Sequence, residues 1–252
     1  MEYTVGWKTE ADSGENNGGS TLREAIILAG GLGERLRPLT ERIPKPLIPV
    51  GGRPILEWQI YWLHKYGVKR VVLAVGYLYE KFVDHFRRSP IDVEIDYSVE
   101  REKLGTGGAI KRALEKIEDN SVIVTNGDNL MAINIREVEE YHRRMRNSGT
   151  IVVVPFRSPY GIVEIFNGLL MSFKEKPTLP YWINAGLYIF NVDEVHEKLP
   201  DKGDIESEFF PNMIGKLSVF MSRELWMPVD TPKDIKRAEE MKQTLYKAIM
   251  EG

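Results

Sequence analysis

Residues 28–40 read LAGGLGERLRPLT and contain three glycines and two arginines directly after an apolar run. Glycine lets a backbone approach a ligand closely, and the guanidinium group of arginine pairs with carboxylate or phosphate. Prolines at positions 38, 44, 46, 49 and 54 forbid a regular helix after the glycines, so we expect an extended loop that also carries Lys45. Exposed N–H groups beside cations suit a triphosphate of about four negative charges. A solvated basic loop is the alternative that this segment alone leaves open.

The familiar phosphate-binding and hydrolase motifs are absent. The dinucleotide fingerprint G-x-G-x-x-G fails because Leu36 stands in the place of its third glycine. The P-loop pattern G-x-x-x-x-G-K-[ST] fails from each glycine of the segment, and no serine lies in G-x-S-x-G. The four histidines, His64, His85, His142 and His196, lack the spacing of metal ligands. A phosphate-binding role for the glycine segment would therefore rest on a different motif.

The composition is that of a globular protein: of 252 residues, 42% are hydrophobic and 28% charged, and none is cysteine. A net charge of −3 gives no overall field that would attract nucleic acid. No apolar run approaches the roughly 20 residues that a membrane helix needs. We therefore expect a cytoplasmic protein with no nucleic-acid or membrane partner. Residues 1–22 lack apolar periodicity and are rich in Gly, Asn and Ser, which predicts a flexible N-terminal extension.

Apolar runs alternate with helical patterns over the first half of the chain. Strands predicted in EAIILA, RVVLAVG, VEIDYS and SVIVTNGD are separated by helices from Pro54, in LYEKFVDHFRR and from Thr106. Strands without polar alternation imply a parallel sheet covered on both faces, with ligands at the carboxyl ends of its strands. Closely spaced strands from TIVVVPF to WINAGLYIF and a long helix from Pro232 complete the chain. We predict one α/β domain with a Rossmann-like, mixed, mostly parallel central sheet and helices on both faces.

Eight motifs, in order, resemble one family. LAGGLGERLRPLT with PKP is followed by GTGGAIKRAL, NGDN, YGIVE, KEKP, NAGLYIF, IESEFFP and VDTPKDI. They resemble the sugar-phosphate nucleotidylyltransferases, also called nucleotide-sugar pyrophosphorylases. The short mannose-1-phosphate and heptose-1-phosphate guanylyltransferases look most similar, through SVEREKLGTGGA and NGDN. The resemblance implies a GT-A-like nucleotidyltransferase domain over residues 23–252, in which a sugar 1-phosphate attacks the α-phosphorus of an NTP, here GTP, and releases pyrophosphate.

The resemblance also implies catalytic and metal-binding roles. Arg35 and Lys45 match cations at the triphosphate, and Lys176 matches the lysine that holds the sugar phosphate. Asp128 and Asp230 match two aspartates that bind Mg²⁺, a cation that takes carboxylate and phosphate oxygens. Taken singly, Asp128 could be a turn residue, Asp230 a helix N-cap and Lys176 an ordinary surface lysine. We predict Arg35, Lys45, Asp128 and Lys176 as catalytic, and Mg²⁺ as the cofactor held by Asp128 and Asp230.

The nucleotide is expected to contact the glycine segment and the start of the helix at Thr106. Glu100 stands where the family often has Glu or Gln facing the base, and a carboxylate there could accept from N1–H and N2–H₂ of guanine, which favours GTP. It could equally be a solvated charge beside Arg101 and Glu102. The predicted nucleotide-binding residues are Leu28, Ala29, Gly30, Gly31, Gly33, Arg35, Lys45, Glu100, Gly105, Thr106 and Gly107.

The sugar phosphate is expected to contact the later motifs. The resemblance implies that Glu175 accepts from sugar hydroxyls while the neighbouring Lys176 pairs with the phosphate. The predicted sugar-phosphate-binding residues are Asn126, Gly161, Glu164, Glu175, Lys176 and Asn184.

Two positions depart from the family pattern. Glu34 stands where relatives more often have Thr or Ser, and we expect its side chain to point outward because its charge would repel a triphosphate. VDTP lacks the glycine that is common before TP, next to Asp230.

Two alternatives stay open, one for the nucleotide and one for the role of the protein. A UTP-, CTP- or dTTP-dependent sugar-1-phosphate nucleotidylyltransferase belongs to the same class. A non-catalytic subunit that senses nucleotide sugars belongs to a different one. The chain ends soon after its last helix, where larger relatives continue into a left-handed β-helix, so we expect a single activity, with a homodimer as a candidate assembly.

Overall fold

The computed structural model describes residues 22–251. The strands of this part are β1 (Glu24–Leu28), β2 (Pro49–Val50), β3 (Arg53–Pro54), β4 (Arg70–Val75), β5 (Glu94–Val99), β6 (Ser121–Asn126), β7 (Asn129–Met131), β8 (Gly149–Arg157), β9 (Ile162–Phe166), β10 (Leu169–Lys174), β11 (Thr178–Asn191), β12 (Leu217–Met221) and β13 (Trp226–Pro228). The α-helices are α1 (Ile55–Lys65), α2 (Tyr79–Arg88), α3 (Gly105–Leu114), α4 (Ile135–Met145), α5 (Val192–His196), α6 (Pro232–Glu240) and α7 (Lys242–Tyr246). Short 3₁₀ or π turns are formed by Glu34–Leu36, Leu39–Glu41, Lys45–Leu47, Ile205–Phe209, Phe210–Met213 and Lys247–Glu251.

Seven strands form one central sheet in the order β12-β8-β11-β6-β1-β4-β5. Neighbouring strands are parallel except where β11 pairs with β6 and with β8. β11 therefore runs against the other six strands. The predicted mixed, mostly parallel sheet in one domain is confirmed. Three small antiparallel pairs, β2–β3, β7–β13 and β9–β10, lie outside this sheet.

Helices cover both faces of the central sheet. Successive side chains of a strand point to opposite sides, so Ile26 and Ile27 of β1 enter two different apolar clusters. The cluster around Ile26 takes Ile110 from α3, and the cluster around Ile27 takes Trp58 and Trp62 from α1. This two-sided burial explains why the central strands lack polar alternation.

The proline-rich loop after β1 is not extended, contrary to the prediction. Three short turns, Glu34–Leu36, Leu39–Glu41 and Lys45–Leu47, follow one another along it. Proline excludes a long helix, but a single 3₁₀ turn needs only one i→i+3 hydrogen bond, such as that from Leu47 N–H to Pro44 O at 2.8 Å. The loop is therefore folded back on itself, which shortens its path over the sheet edge.

Two helices differ from the sequence prediction. The helix from Pro232 ends at Glu240, where the N–H of Met241 bonds to the carbonyls of residues 237 and 238, and α7 continues separately. α4 (Ile135–Met145) is not predicted, because only Ile135 and Val138 mark its buried face among many charged residues.

Leu22, the last residue of the predicted extension, is buried. The rest of the predicted extension, residues 1–21, lies outside the described residues. Within residues 22–251, every helix is too short or too polar to cross a bilayer.

Ile123 provides a test of where the core is centred. It is fully buried on β6 and pairs with Ala25 of β1 and Ile189 of β11. We expect Ile123→Ala to lower the free energy of unfolding by about 2–5 kcal/mol, because the cavity forms in the most enclosed part of the sheet. Val219→Ala, on the edge strand β12 where Val219 is 46% exposed, should lower it far less. Urea unfolding followed by circular dichroism measures both, and equal losses would contradict this placement of the core.

Candidate active site

A cleft of about 810 Å³ opens beside the carboxyl ends of β1, β4, β5 and β6. In parallel sheets this is the edge at which ligands bind. Most of the residues predicted to bind a nucleotide or metal meet here. Those that line the cleft, together with one residue predicted to bind the sugar phosphate, are Leu28, Ala29, Gly30, Gly31, Gly33, Arg35, Lys45, Glu100, Gly105, Thr106, Asn126, Asp128 and Asp230.

A single ammonium group joins the two aspartates predicted to bind metal. Lys45 Nζ lies 2.7 Å from Oδ2 of Asp128 and 2.6 Å from Oδ1 of Asp230. Arg35 Nη2 lies 3.0 Å from the same oxygen of Asp230. The side chain of Lys45 is 10% exposed and that of Arg35 is 71% exposed. Lys45 is thus the inner cation of the cluster, and Arg35 is the outer cation that faces solvent.

Three distant segments of the chain bring these charges together. Lys45 begins the turn Lys45–Leu47. Asp128 lies between β6 and β7, and its carbonyl accepts from the N–H of Val229 at 2.9 Å. This backbone bond, next to the pairing of β7 with β13, fixes Asp230 beside Asp128. The cluster therefore depends on tertiary structure rather than on local sequence.

Asp234 positions Asp230. Asp234 is not among the site residues predicted from the sequence. Its Oδ2 accepts from the backbone N–H of Asp230 at 3.2 Å, and from the N–H and hydroxyl of Thr231 at 2.8 and 2.7 Å. Thr231 and Asp234 form a capping box at the start of α6. Thr231, not Asp230, is therefore the N-cap, which leaves the Asp230 carboxylate for Lys45. Residues 231–234 have the capping pattern T-x-x-D, so the sequence contains the signal that identifies Thr231 and Asp234 as a capping pair.

The two carboxylates fit a divalent cation. Asp128 and Asp230 converge on one positive charge in this structure, so the position already favours a cation. Mg²⁺ is commonly held by one or two carboxylates and takes its remaining ligands from phosphate oxygens and water. Within residues 22–251, no group of three or more His, Cys, Asp or Glu side chains could hold a metal. The donor set suits an ion that binds together with a phosphate ligand.

The geometry of the loop favours glycine at position 33 and leaves little room beside Gly30 unless Glu100 moves. Gly33 has a φ of +61°, a conformation that favours glycine, and its carbonyl accepts from the hydroxyl of Thr40 at 2.9 Å. A Cβ on Gly30 would lie 2.5 Å from Oε1 of Glu100. At Gly31 a Cβ would meet no described atom within 4 Å, so the backbone of the loop borders open space in the cleft.

Glu34 is one of the residues that line the cleft. Its side chain is 67% exposed, and its Oε1 lies 3.6 Å from Nη2 of Arg37. That its charge points away from a bound triphosphate stays a prediction.

Glu100 is partly buried at the cleft, so it is not a freely solvated charge. Burial raises the pKa of its carboxyl above the ordinary value, whereas the N–H of Leu104 and the cations Arg112 and Lys103 act in the opposite direction. The Leu104 N–H donates to Oε2 at 3.1 Å, while Oε1 lies against the backbone at Gly30.

The segment around Gly203 fixes the start of α3. The N–H of Thr106 donates to Oδ1 of Asp204 at 3.2 Å, and Gly105 and Thr106 both line the cleft. Gly107, which was predicted to bind the nucleotide, is buried and its N–H already donates to Gly203 O at 2.9 Å. The structure therefore does not bring Gly107 to the cleft.

Four residues predicted to bind the sugar phosphate lie on or beside the β9–β10 hairpin, outside the lining of the cleft. Glu164 pairs with Lys174 across the hairpin, and Glu175 pairs with Lys176 after it, each at 3.3 Å. Gly161 precedes β9 and packs so closely on Phe173 that a Cβ would lie 2.5 Å from its ring. Lys176 has a φ of +47°, which is uncommon for a residue with a side chain.

Asn184 does not line the cleft. Its Nδ2 donates to the hydroxyl of Tyr188 at 2.7 Å, and its Oδ1 accepts from Gly186 N–H at 2.9 Å. Burial raises the pKa of Tyr188, so this phenol stays neutral. Asn126, which lines the cleft, contacts Gly186 from the other side. The two asparagines thus connect the cleft to the exposed half of β11.

Sequence comparison finds relatives with named activities. The chain is 34% identical over 226 residues to D-glycero-alpha-D-manno-heptose 1-phosphate guanylyltransferase of Aneurinibacillus thermoaerophilus. The aligned segment covers 86% of this chain and 97% of that protein. It is 38% identical to the mannose-1-phosphate guanyltransferase of Aspergillus oryzae, over an aligned segment of 225 residues that covers 84% of this chain. The chain spans only 62% of the length of the Aspergillus protein.

Structure comparison leads to the same group. The crystal structure of HddC from Yersinia pseudotuberculosis complexed with GMP-PN has a TM-score of 0.72 and 29% identity, over 87% of this chain and 99% of that chain. A family model described as nucleotidyl transferase matches residues 24–244. The cleft, its glycine loop and its paired aspartates all lie within that range, and the chain belongs to the nucleotidyl transferase family.

Proposed function

We propose that this protein transfers the guanylyl group of GTP to the phosphate of mannose 1-phosphate, a heptose 1-phosphate or a related sugar 1-phosphate. The products are a GDP-sugar and pyrophosphate. The observation that carries the proposal is the convergence of Lys45, Asp128 and Asp230 beside the glycine loop. The names of the relatives, and the GMP-PN complex of the neighbouring structure, support GTP and these acceptors.

The donor half of the site is the glycine loop with its two cations. The triphosphate of GTP would lie along the backbone at Gly31, where the loop borders open space. Arg35 and Lys45 would neutralise charge on the α-phosphate and on the departing pyrophosphate. Preorganised cations of this kind lower the barrier because they need no rearrangement as charge develops.

The reaction needs no general base from the protein. A phosphate monoester has a second pKa of about 6, so the acceptor is largely a dianion at neutral pH. Its oxygen forms a bond to the α-phosphorus while the bond from that phosphorus to the bridging oxygen of pyrophosphate breaks, and the electron pair leaves with pyrophosphate. The task of the protein is to hold two anions in line.

Asp128 and Asp230 would hold Mg²⁺. When bound, the ion supplies charge neutralisation and a template for phosphate oxygens. The ammonium group of Lys45 would then pair with phosphate in place of the carboxylates.

The acceptor half of the site is assigned to Asn126, Asn184 and the end of the β9–β10 hairpin. Lys176 would pair with the sugar phosphate, and Glu175 would accept from sugar hydroxyls, with Glu164 and Gly161 nearby. The left-handed backbone at Lys176 supports a role here, because such conformations in residues with side chains concentrate at functional sites. Of these residues only Asn126 lines the cleft, so the sugar phosphate would extend from the cleft toward the hairpin.

The alternative of a non-catalytic sensing subunit is less well supported by the site. A sensing subunit would not need an assembled cluster of Arg35, Lys45 and the two aspartates, so the cluster supports catalysis. Because GTP is supplied in the cytoplasm, we place the reaction there.

The test is pyrophosphate release with Mg²⁺, across GTP, ATP, UTP, CTP and dTTP crossed with a panel of sugar 1-phosphates. We expect GTP with mannose 1-phosphate or a heptose 1-phosphate to give the highest kcat/KM. Pyrophosphate release with UTP, CTP or dTTP but not with GTP would contradict the assignment of guanine as the base. No release in any combination, with folded protein, would contradict catalysis.

Asp128→Asn removes one charge from the cluster without changing side-chain size. We expect kcat to fall about 10²–10³-fold, because a preorganised charge at the reacting phosphates is lost. The matched control is Asp92→Asn, a change of the same kind at an exposed position outside the cleft. Steady-state kinetics on both variants would contradict the metal assignment if Asp128→Asn kept the wild-type rate.

Asp234→Ala should weaken metal binding through Asp230. Without the Asp234 carboxylate, the backbone N–H groups of Asp230 and Thr231 lose their acceptor, so the capping box of α6 loses its reciprocal half while Thr231 remains the N-cap. We expect a several-fold rise in the Mg²⁺ concentration for half-maximal rate, recovery of kcat at saturating Mg²⁺, and a loss of about 1 kcal/mol in unfolding free energy. Glu240→Ala, at the exposed far end of the same helix, is the control. Loss of stability with an unchanged Mg²⁺ requirement would restrict Asp234 to capping.

Glu100 should give GTP use a pH dependence. Its raised pKa means that the carboxyl gains a proton at a higher pH than an ordinary glutamate, and the protonated form accepts poorly from guanine. We expect KM for GTP to rise as pH falls from neutral toward this pKa. Glu100→Gln should raise KM for GTP at pH 7 and flatten the profile. If KM for GTP depends on pH in the same way in the wild type and in Glu100→Gln, the Glu100 carboxylate takes no part in recognising the base.

A further inference from the structure

Gln59 is a polar side chain on the buried, largely apolar side of α1. It is 1% exposed, and the residues on either side of it, Trp58 and Ile60, are buried as well. Its Oε1 is buried and has no hydrogen-bond partner within residues 22–251. An unsatisfied oxygen in the interior costs free energy that an apolar side chain of similar size would avoid. Departures of this kind from ordinary core composition concentrate at functional sites, so the amide of Gln59 needs a reason other than packing.

The amide nitrogen of Gln59 bridges the two ends of one turn. Nε2 donates to the carbonyl of Asn126 at 2.7 Å and to the carbonyl of Asn129 at 2.5 Å. A carbonyl oxygen only accepts, so the amino group of the amide must face both carbonyls. The amide oxygen then takes the other position, where it has no partner. The unsatisfied oxygen is thus a consequence of the two bonds that the nitrogen makes.

The turn that Gln59 bridges carries Asp128. Residues 126–129 join β6 to β7. Two backbone bonds fix the middle of the turn: the N–H of Gly127 donates to the carbonyl of Leu28 at 2.8 Å, and the carbonyl of Asp128 accepts from the N–H of Val229 at 2.9 Å. The amide of Gln59 holds the two ends of the same turn from the side of α1.

The strand that faces β7 does not offer a substitute for Gln59 at Asn129. Asn129 lies opposite Pro228 of β13, and proline has no N–H to donate. The N–H of the next residue, Val229, already donates to Asp128. Asn129 is 4% exposed, so water is a poor replacement. Without the amide of Gln59, the carbonyl of Asn129 would lose its donor in the interior.

We infer that Gln59 is a positioning residue for Asp128, because its amide fixes both ends of the turn and so holds the carboxylate where it shares Lys45 with Asp230. Gln59 does not line the cleft, so it acts through the turn. The metal-binding consequence rests on the proposed function. Loss of an outer hydrogen bond that orients a metal ligand typically costs about 10–100-fold in metal affinity or activity.

The hold on the turn is tested by amide hydrogen exchange, which needs no activity. Gln59→Leu removes both donated bonds and the unsatisfied oxygen but keeps a side chain of similar size. We expect exchange in residues 121–131 to become about tenfold faster relative to that in β4, because the turn loses two hydrogen bonds of ordinary net strength. Mass spectrometry of peptic fragments measures this ratio. Ile60→Val, which removes one buried methylene from the next position of α1 and no hydrogen bond, is the matched control and should leave the ratio unchanged.

The metal-binding consequence is tested with Mn²⁺–GTP as the probe. Water proton relaxation distinguishes protein-bound from free Mn²⁺–GTP, and equilibrium dialysis in EDTA measures the binding of GTP without metal. Gln59→Leu should weaken the binding of Mn²⁺–GTP by about tenfold or more and leave the binding of metal-free GTP unchanged. Ile60→Val should match the wild type in both measurements. Gln59→Met removes the same two bonds with a more flexible side chain and replaces Gln59→Leu if circular dichroism shows that the leucine variant does not fold.

The possible results separate this inference from the proposed function. Wild-type exchange in the turn of the Gln59 variants would overturn the inference. Faster exchange with wild-type binding of Mn²⁺–GTP would also overturn it, because Gln59 would then stabilise the turn without positioning the carboxylate for metal. A wild-type protein that binds no Mn²⁺–GTP and releases no pyrophosphate would overturn the proposed function and the metal-binding consequence together, and exchange would still decide whether the amide holds the turn.

Discussion

The ammonium group of Lys45 is the interaction on which the site depends. Asp128 and Asp230 stand 83 and 185 residues from it in the chain, and each carboxylate lies within 2.7 Å of the same nitrogen. Two carboxylates brought so close would repel one another without a cation between them. The folded loop before Lys45 and the β7–β13 pair bring the three side chains together. A large part of the chain outside the central sheet therefore serves to assemble one small charged cluster.

The strand β11 divides the molecule into two regions of different character. Its second half, from Ala185 to Phe190, is buried in the central sheet, and most of its first half, around Tyr181 and Trp182, is exposed. The donor groups lie at the edge of the buried region, on strand ends that packing holds from both faces. The proposed acceptor groups lie near the exposed region, where little of the same chain covers them. Asn126 and Asn184 meet at Gly186, where the two regions join.

The sequence predicted those parts of the fold that have local causes. Uninterrupted apolar runs marked the central strands, and the motifs placed Asp128 and Asp230 at one edge of the sheet. It did not reveal α4, whose few apolar positions are hidden among charges, or the turns of the proline-rich loop. Nor did it show that Gly107 turns its N–H to Gly203. These features depend on contacts between distant segments, which residue types and spacing do not specify.

The separation along β11 has a consequence for how such a chain diversifies. With the acceptor beside the hairpin, as proposed, substitutions there would change the surroundings of the sugar while the segments that carry Lys45 and Asp128 keep their packing. Sugar preference would then vary independently of nucleotide binding, because the substituted side chains lie outside the buried half of the central sheet.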